Sequence, residues 1–337
     1  MQRGRQVVLY VALGLVAMLI VGISLTIGWR PFLGPRARAL TDRKFEPTSQ
    51  RLARGKYLVE GVAACMTCHA PRDWRKHDAP ILPGMEGAGQ FIDLKGLPGR
   101  VYAPNLTPDR ETGAGNWSDD ALARAIREGI GHDGRTLFPM MPYPAYSQLS
   151  DEDVASIVVY LRSQPPVHNP LPSTKIIFPV DFLIRAVPKP LTKPVPPPDL
   201  SDPVKRGRYL ASIATCDGCH TPMKRGSPLP GLEYGGGQVF EGPWGRVASA
   251  NLTPDPSGIS YYDPALFLQV IRTGYVKARA INQIMPWSDF RNMTDDDLKA
   301  IFAYLQTLPP VKHHVDNTEP PTPCKLCGSS HGAGDTN

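Results

Sequence analysis

Excess positive charge is missing from most of this chain. The net charge is +6 over 337 residues, and residues 1–50, with seven Lys/Arg against two Asp/Glu, account for +5 of it. Residues 51–164 stand at −1 and residues 204–308 at +2. The absence of a basic face beyond residue 50 excludes nucleic acid as a partner and leaves a basic stretch suited to lipid headgroups. Cysteine is confined to three Cys-x-x-Cys pairs, and the last, Cys324-Lys-Leu-Cys327, lacks the His that follows the other two. No good Ala-x-Ala site follows the apolar N-terminal run, which argues against a cleaved secretory signal. No signalling module is present, which sets aside a sensor.

What is present begins with Gln6–Trp29, 24 residues without a charge. At about 1.5 Å per residue such a helix spans roughly 36 Å, enough to cross a bilayer. The expectation is an uncleaved anchor. Arg3 and Arg5 precede it, and Arg30, Arg36, Arg38, Arg43 and Lys44 follow it. By charge count alone the C-terminal side would be cytoplasmic; the chemistry of the cysteine motifs argues the opposite.

The rest of the chain holds one module twice. Ala53-Arg-Gly-Lys-Tyr-Leu58 recurs as Lys205-Arg-Gly-Arg-Tyr-Leu210, and Cys65-Met-Thr-Cys-His69 as Cys216-Asp-Gly-Cys-His220. Asn105-Leu-Thr-Pro-Asp109 recurs as Asn251-Leu-Thr-Pro-Asp255, Met141-Pro-Tyr143 as Met285-Pro-Trp287, and Ser150-Asp-Glu-Asp-Val154 as Thr294-Asp-Asp-Asp-Leu298. The offset falls from 151 at the cysteines to 144 at the methionines, so the second copy is shorter in its middle loops.

Each copy reads as mainly helical. A first helix runs up to the cysteines. A middle helix is capped by Ser118, or by Asp263 with Pro264 at its first position. A last helix starts at Ser150 or Thr294, with acidic residues in its first turn, and stops before Pro165 or Pro309. Residues 165–203 hold 12 Pro in 39 positions, which favours an extended strap. Its apolar Ile176–Phe178 and Phe182–Ile184 predict that it lies against one or both modules. The expected boundaries are an anchor and juxtamembrane segment at 1–50, modules at 51–164 and 204–311, the strap at 165–203, and a flexible tail at 312–337.

Cys-x-x-Cys-His is the attachment motif of c-type haem. The cysteines lie about one helical turn apart, so both thiols reach one porphyrin edge, and His69 or His220 points at the iron. Zinc or reversible disulfides compete, but zinc needs four ligands and neither module has a second Cys pair. Met141 and Met285, matched in the repeat and each followed by Pro, are the expected sixth ligands, since a thioether opposite His suits electron transfer. Met293 is nearly the same distance from its His, but it aligns with Leu149 and reads as core; Met140 faces Ile284 in the second copy. Tyr102, Trp117, Tyr143, Trp244 and Trp287 are candidates to line the pockets or bond propionates, with ordinary core as the equal reading. Asn105 and Asn251 read as turn residues. Gly328 in place of His speaks against a third haem. A short disulfide or free thiols is the ordinary reading of Cys324 and Cys327, with a metal site shared with His313, His314 or His331 as the weaker one.

The motif order over roughly residues 50–310 resembles the cytochrome c subunits of bacterial membrane-bound alcohol, gluconate and aldehyde dehydrogenases. The resemblance implies a mainly α fold, with an N-terminal transmembrane helix followed by two tandem class I cytochrome c-like helical domains. It implies two covalently bound haem c groups, one on Cys65, Cys68, His69 and Met141, the other on Cys216, Cys219, His220 and Met285. It also implies a carrier without catalysis of its own, passing electrons from a dehydrogenase catalytic subunit toward quinone, another cytochrome or a terminal oxidase. The chain departs from that family in having two haem motifs where three are common, and an anchor in place of a cleaved signal. The competing class is a dihaem enzyme, such as a peroxidase or a thiosulfate-oxidising cytochrome, but no matched distal His appears and His132 has no counterpart. Because haem c is attached outside the bacterial cytoplasmic membrane, the modules are expected in the periplasm, on a single-pass anchor in the inner membrane.

Overall fold

The computed structural model describes residues 2–332. They form mainly helices, with six two-stranded ribbons between them. Helix α1 (Gln2–Leu25) contains most of the charge-free run. Among the described residues it is the one helix long and apolar enough to cross a membrane, and the rest of the chain buries none of that stretch. A short α2 (Arg30–Leu33) comes next.

The first copy comprises α3 (Ser49–Tyr57), α4 (Cys65–His69), α5 (Asp119–Glu128), α6 (Tyr143–Tyr146) and α7 (Asp151–Arg162). After α8 (Val180–Leu183) in the strap, the second copy repeats the order as α9 (Pro203–Ile213), α10 (Cys216–His220), α11 (Pro264–Thr273), α12 (Trp287–Phe290) and α13 (Asp295–Leu305). The side chains of Ser118, Ser150, Asp263 and Thr294 each accept from the backbone N–H three residues on, as N-caps do. Gly129 and Gly274 end α5 and α11 in the left-handed region, at φ 72° and 73°.

One irregularity lies between the first helix and the cysteines. Tyr57 and Tyr209 are 152 positions apart and the first cysteines 151, so the first copy has one residue more between tyrosine and cysteine. That residue is absorbed by a π-helical turn at Leu58–Val62, where an insertion widens the helix instead of displacing the cysteine motif beyond it.

In each copy the first and last helices cross at a glycine. A Cβ on Gly55 would sit 2.0 Å from the Ser156 carbonyl oxygen, and one on Gly207 would sit 1.8 Å from that of Ala300. These crossings draw α3 onto α7 and α9 onto α13, and bury Leu58, Val158, Leu210, Ile213, Leu298 and Leu305. The obstacle at each glycine is backbone, which cannot turn aside. Gly207→Ala should therefore destabilise by about 3 kcal/mol, at the upper end for overpacking. Gly61→Ala is the control, since its nearest neighbours would lie at 3.7 Å and little change is expected. Chemical denaturation of both variants is the check.

The segment after α2 folds back onto α5. Arg38 Nη1 donates to Asp120 Oδ2 at 2.7 Å and its Nε to Glu128 Oε1 at 2.8 Å, while Thr41 N donates to Asp120 Oδ2 at 2.7 Å. Arg43 Nη2 reaches the same carboxylate at 3.3 Å. The basic stretch expected near lipid headgroups is thus partly internal, with Arg38 and Arg43 turned toward the protein. Burial by itself would raise the pKa of Asp120; the bonds from Arg38 and Thr41 outweigh it and hold the group at about 2. A carboxylate depressed in the folded state lends stability that is full above its unfolded value near 3.9 and is lost as pH falls toward 2. Asp120→Asn should abolish that acid-dependent component and open Arg38 and Arg43 to trypsin at neutral pH, as mapped by mass spectrometry of the fragments.

The strap runs along the first copy. Lys175–Ile176 pairs with Gly99–Arg100, Thr174 Oγ1 exchanges bonds with the backbone of Tyr102, and Asp151 N donates to Val195 O at 3.0 Å. Residues 312–332, expected to be flexible, instead lie folded against the second copy; residues 333–337 fall outside the described residues. Asn317 bonds both the N–H and the carbonyl of Ala248, Arg246 donates to the carbonyls of Ser330 and Gly332 at 2.6 Å, and Thr322–Pro323 pairs with Ser330–His331. Composition missed this because backbone bonds and a few His and Cys side chains hold the tail, with little apolar surface involved.

Candidate functional site

Both cysteine motifs are entered through a strained residue. Ala64 stands at φ 45° and Thr215 at φ 54°, a region that costs a non-glycine residue roughly 1–2 kcal/mol. The turn starts a new short helix at the first cysteine, with the two cysteines and the histidine on one helical turn. His69 Nδ1 donates to Pro104 O at 2.8 Å and His220 Nδ1 to Ala250 O at 2.7 Å. A carbonyl only accepts, so the proton lies on Nδ1 and Nε2 keeps its lone pair, the form in which imidazole ligates a metal. Burial lowers the pKa of both histidines, only partly countered by these bonds, which favours the neutral ring. Burial likewise pushes the thiols of Cys65 and Cys216 up to about 12 and those of Cys68 and Cys219 to about 11, so all four are thiols at neutral pH.

The loop facing each histidine is built alike. Asn105 Oδ1 accepts from Thr107 N at 2.9 Å while its Nδ2 donates to Val167 O at 2.7 Å; Asn251 does the same with Thr253 N and Val311 O. Each asparagine ties its turn to the chain leaving the last helix. Met141 and Met285 are partly buried against the core and share one backbone setting, with Tyr143 N donating to Met141 O at 2.8 Å and Trp287 N to Met285 O at 2.7 Å. Met293 and Leu149 are both buried core residues, so packing already occupies that thioether.

Whether these residues suit a haem is tested by the polar atoms left over. Tyr143 Oη and Trp287 Nε1, matched in the repeat and directly after each Met-Pro, are buried without a hydrogen-bond partner, as is Trp244 Nε1. Leaving a buried donor unpaired is costly, and matched orphans beside the matched methionines fit a bound group with acidic substituents. Tyr102 and Trp117 are partly buried and pack against Phe91 and His132.

The two copies meet along a seam of exchanged contacts. Tyr209 of the second copy donates to Asp153 of the first at 3.0 Å, and Tyr57 of the first donates to Asp297 of the second. Gln148 reaches Ser212 Oγ at 2.8 Å, and Asn292, its repeat equivalent, reaches the carbonyl of Glu60, the equivalent of Ser212, at 3.0 Å. Such reciprocal pairs are the signature of an approximate two-fold axis.

Where the repeat breaks, the first copy reaches over the second. Arg72 bonds Asp289 through Nη2 at 2.6 and 2.7 Å, Thr67 Oγ1 donates to the same carboxylate at 2.6 Å, and Arg72 and Asp289 are both buried. Trp74 packs on Trp244, and His77 lies between Trp287 and Tyr275. Sequence reasoning missed Arg72, Trp74, His77 and Asp289. Repeat alignment singles out what the copies share, and these residues have no matching partner there; the 72–80 loop, four residues longer than its counterpart at 223–227, was the available signal.

The chain matches the Cytochrome c family model over residues 52–165 and again over 204–309. It belongs to the cytochrome c family. The cytochrome accordingly binds haem c covalently, and two matched segments, each with one attachment motif, fit two haems. It is similar to the cytochrome c subunit of a quinone-dependent alcohol dehydrogenase from Gluconacetobacter polyoxogenes, 29% identical over 85% of this chain and 62% of that one. It is 32% identical to the fructose dehydrogenase cytochrome subunit of Gluconobacter japonicus over 77% of this chain and 52% of that one. A diheme cytochrome c of Cereibacter sphaeroides is 28% identical over 74% of this chain and 84% of its own. The chain thus spans only about half to three-fifths of the two dehydrogenase subunits.

Asp289 is the test of the seam. Removing one partner of a buried ion pair leaves the other uncompensated and costs about 3–5 kcal/mol. Asp289→Ala should lower stability by that order and split the thermal unfolding of the cytochrome into two transitions, read by calorimetry. A single unshifted transition would show that the copies associate without it.

Proposed function

We propose that this cytochrome is a membrane-anchored, two-haem electron carrier that takes electrons from a dehydrogenase catalytic subunit on the periplasmic face and hands them to the respiratory chain. The observation that carries the reading is the matched pair of sites. Each has two thiols and a neutral imidazole on one helical turn, a methionine at the same repeat position, and an unpaired buried donor next to it.

In this reading residues 51–164 and 204–311 are two class I cytochrome c-like domains, joined by the strap at 165–203. Cys65, Cys68, His69 and Met141 would hold one haem, and Cys216, Cys219, His220 and Met285 the other. Haem c held by His and Met supplies one-electron iron chemistry at a raised potential. The protein's part is positional. Pro104 O and Ala250 O fix the two imidazoles, and Tyr143 and Trp287 offer donors to the propionates. The exchanged contacts hold the copies in one arrangement, which would keep two haems at a fixed separation within a single chain.

Helix α1 is the proposed anchor, with its N-terminus in the cytoplasm. The Lys/Arg count that pointed the other way weakens once Arg38 and Arg43 are paired with Asp120. Phe32 in α2 packs edge-on against Phe182 in α8 at 4.9 Å, while Leu33, Ile177 and Phe178 remain exposed. An apolar patch joined to the end of the anchor suits the membrane interface. The dehydrogenase partner is inferred from the relatives, which are subunits of such enzymes.

A thioether on each iron leaves no open position, so the intact cytochrome should bind no carbon monoxide and remain low-spin in both redox states. Met141→Ala and Met285→Ala should each create one equivalent of carbon monoxide binding and lower one midpoint potential, while the haem stain stays complete. Optical titration with carbon monoxide and redox potentiometry are the measurements. Stoichiometric carbon monoxide binding by the unaltered protein would instead mark one haem as a reaction site.

A further inference from the structure

Outside the haem motifs, four metal-ligating side chains converge behind the His220 loop. His313, Cys324, Cys327 and His331 bring their ligand atoms all within 4.8 Å of one another. His313 Nε2 lies 3.3 Å from Cys324 Sγ, and His331 Nε2 lies 3.0 Å from Cys327 Sγ. Both imidazoles are fixed from behind, His313 Nδ1 on Gly235 O at 2.9 Å and His331 Nδ1 on His314 O at 3.3 Å. Those carbonyls require the Nδ1 proton, so both Nε2 lone pairs face the thiols. The cysteines sit in a tight knuckle. Gly328, at φ 76°, donates to Cys324 O at 3.0 Å, Cys324 N donates to Ser329 O at 2.8 Å, and Ser329 N points at Cys327 Sγ at 3.4 Å.

The first copy shows what the second has changed. Asn169 stands where His313 does and ties the same loop, its Nδ2 donating to Ala88 O at 2.9 Å. An amide is therefore sufficient for the fold, and the imidazole adds a second nitrogen aimed at Cys324. Gln90 faces Ala103 as Gln238 faces Ser249, so Gly237 is an added residue of the second copy without a counterpart. A Cβ on it would stand 2.6 Å from His313 Cε1 and 2.8 Å from His331 Nε2, so the residue added here is one that leaves room for the two rings.

We propose that His313, Cys324, Cys327 and His331 form a tetrahedral zinc site. Two sulfurs and two imidazole nitrogens are a zinc donor set, and metal–ligand bonds of about 2.0–2.3 Å imply ligand-to-ligand separations of about 3.3–3.8 Å, close to the contacts above. Binding Zn²⁺ replaces the two thiol protons, which leave to solvent, and no oxidant is involved. A disulfide between Cys324 and Cys327 would consume both sulfurs and leave two buried Nε2 atoms facing each other without a partner; the thiols are unpaired here. With four protein ligands the site is closed and structural. It clamps residues 313–331 to the Gly235–Gly237 loop, whose Gly236 N donates to His220 O at 2.7 Å. His314 turns away to Glu319 and takes no part.

The test uses the full-length cytochrome, purified in detergent without chelator and dialysed against micromolar Zn²⁺ under mild reductant. Elemental analysis should give one zinc beside two irons per chain. Cys324→Ser/Cys327→Ser should lose the zinc and keep both irons. His313→Asn, which copies the first module and preserves the loop bond, should also lose it, while His314→Ala retains it. Stripping zinc should speed tryptic cleavage at Lys325 at least tenfold. No zinc on the wild-type chain, a third iron in its place, or zinc that survives both the cysteine and the His313 variants would each overturn the assignment. None of these readouts depends on haem activity, so the carrier reading stands or falls separately.

Discussion

The arrangement of this protein depends on two carboxylates, Asp153 and Asp297, at the third residues of α7 and α13. Each is held within its own copy by an arginine of the first helix, Arg54 at 2.7 Å and Arg206 at 2.5 Å. Each also accepts a tyrosine from the other copy. Both lie where helix dipole and orphan N–H groups favour negative charge. One residue type at one repeat position thus closes the helix crossing inside a module and joins the modules to each other. The tyrosines register the constraint: burial, then the bond to Asp297, pushes the Tyr57 hydroxyl up to about 12.

This explains why the insertion before Cys65 is absorbed where it is. Tyr57 must keep its register on α3 to reach Asp297, and Cys65 must keep its own to begin α4. The extra residue between them has only the intervening turn to occupy, and the π-helical turn at Leu58–Val62 takes it. That turn also meets the second copy, with Gly61 beside Met293 and the Glu60 carbonyl bonded by Asn292.

Much of the fold was legible because the sequence states it twice. Caps at Ser118, Ser150, Asp263 and Thr294, and prolines beyond both last helices, fixed the helix ends by local chemistry that needs no tertiary context. The cysteine motifs were legible for the same reason. What was not legible arises where one copy does something the other does not. The pair of Arg72 with Asp289, and the placing of His77 by Trp287, join residues more than 200 positions apart and have no periodicity to announce them. The inward turn of Arg38 was hidden by net charge, which counts cations without showing which carboxylate they face. The tail was misread because its composition is polar, although its order comes from main-chain bonds and four ligand side chains.

Breaks in the repeat are therefore where this molecule has acquired properties beyond those of a single module. The shared positions, Gly55 with Gly207, Asn105 with Asn251 and His69 with His220, serve what every module needs: a helix crossing, a tied loop and an oriented imidazole. The unshared ones make the two sites unequal. Gly129 and Gly274 stand alike against the Tyr143 and Trp287 rings, but the Trp287 edge is also covered by a loop of the first copy, through His77 and the nearby Trp74–Trp244 contact. Behind the second histidine, His313 replaces an amide and brings the tail with it. On the reading of two haems, different covering changes the dipoles around each site, which is one means by which a protein separates two haem potentials. The duplication supplies two matched frameworks, and the asymmetric contacts give each its own surroundings.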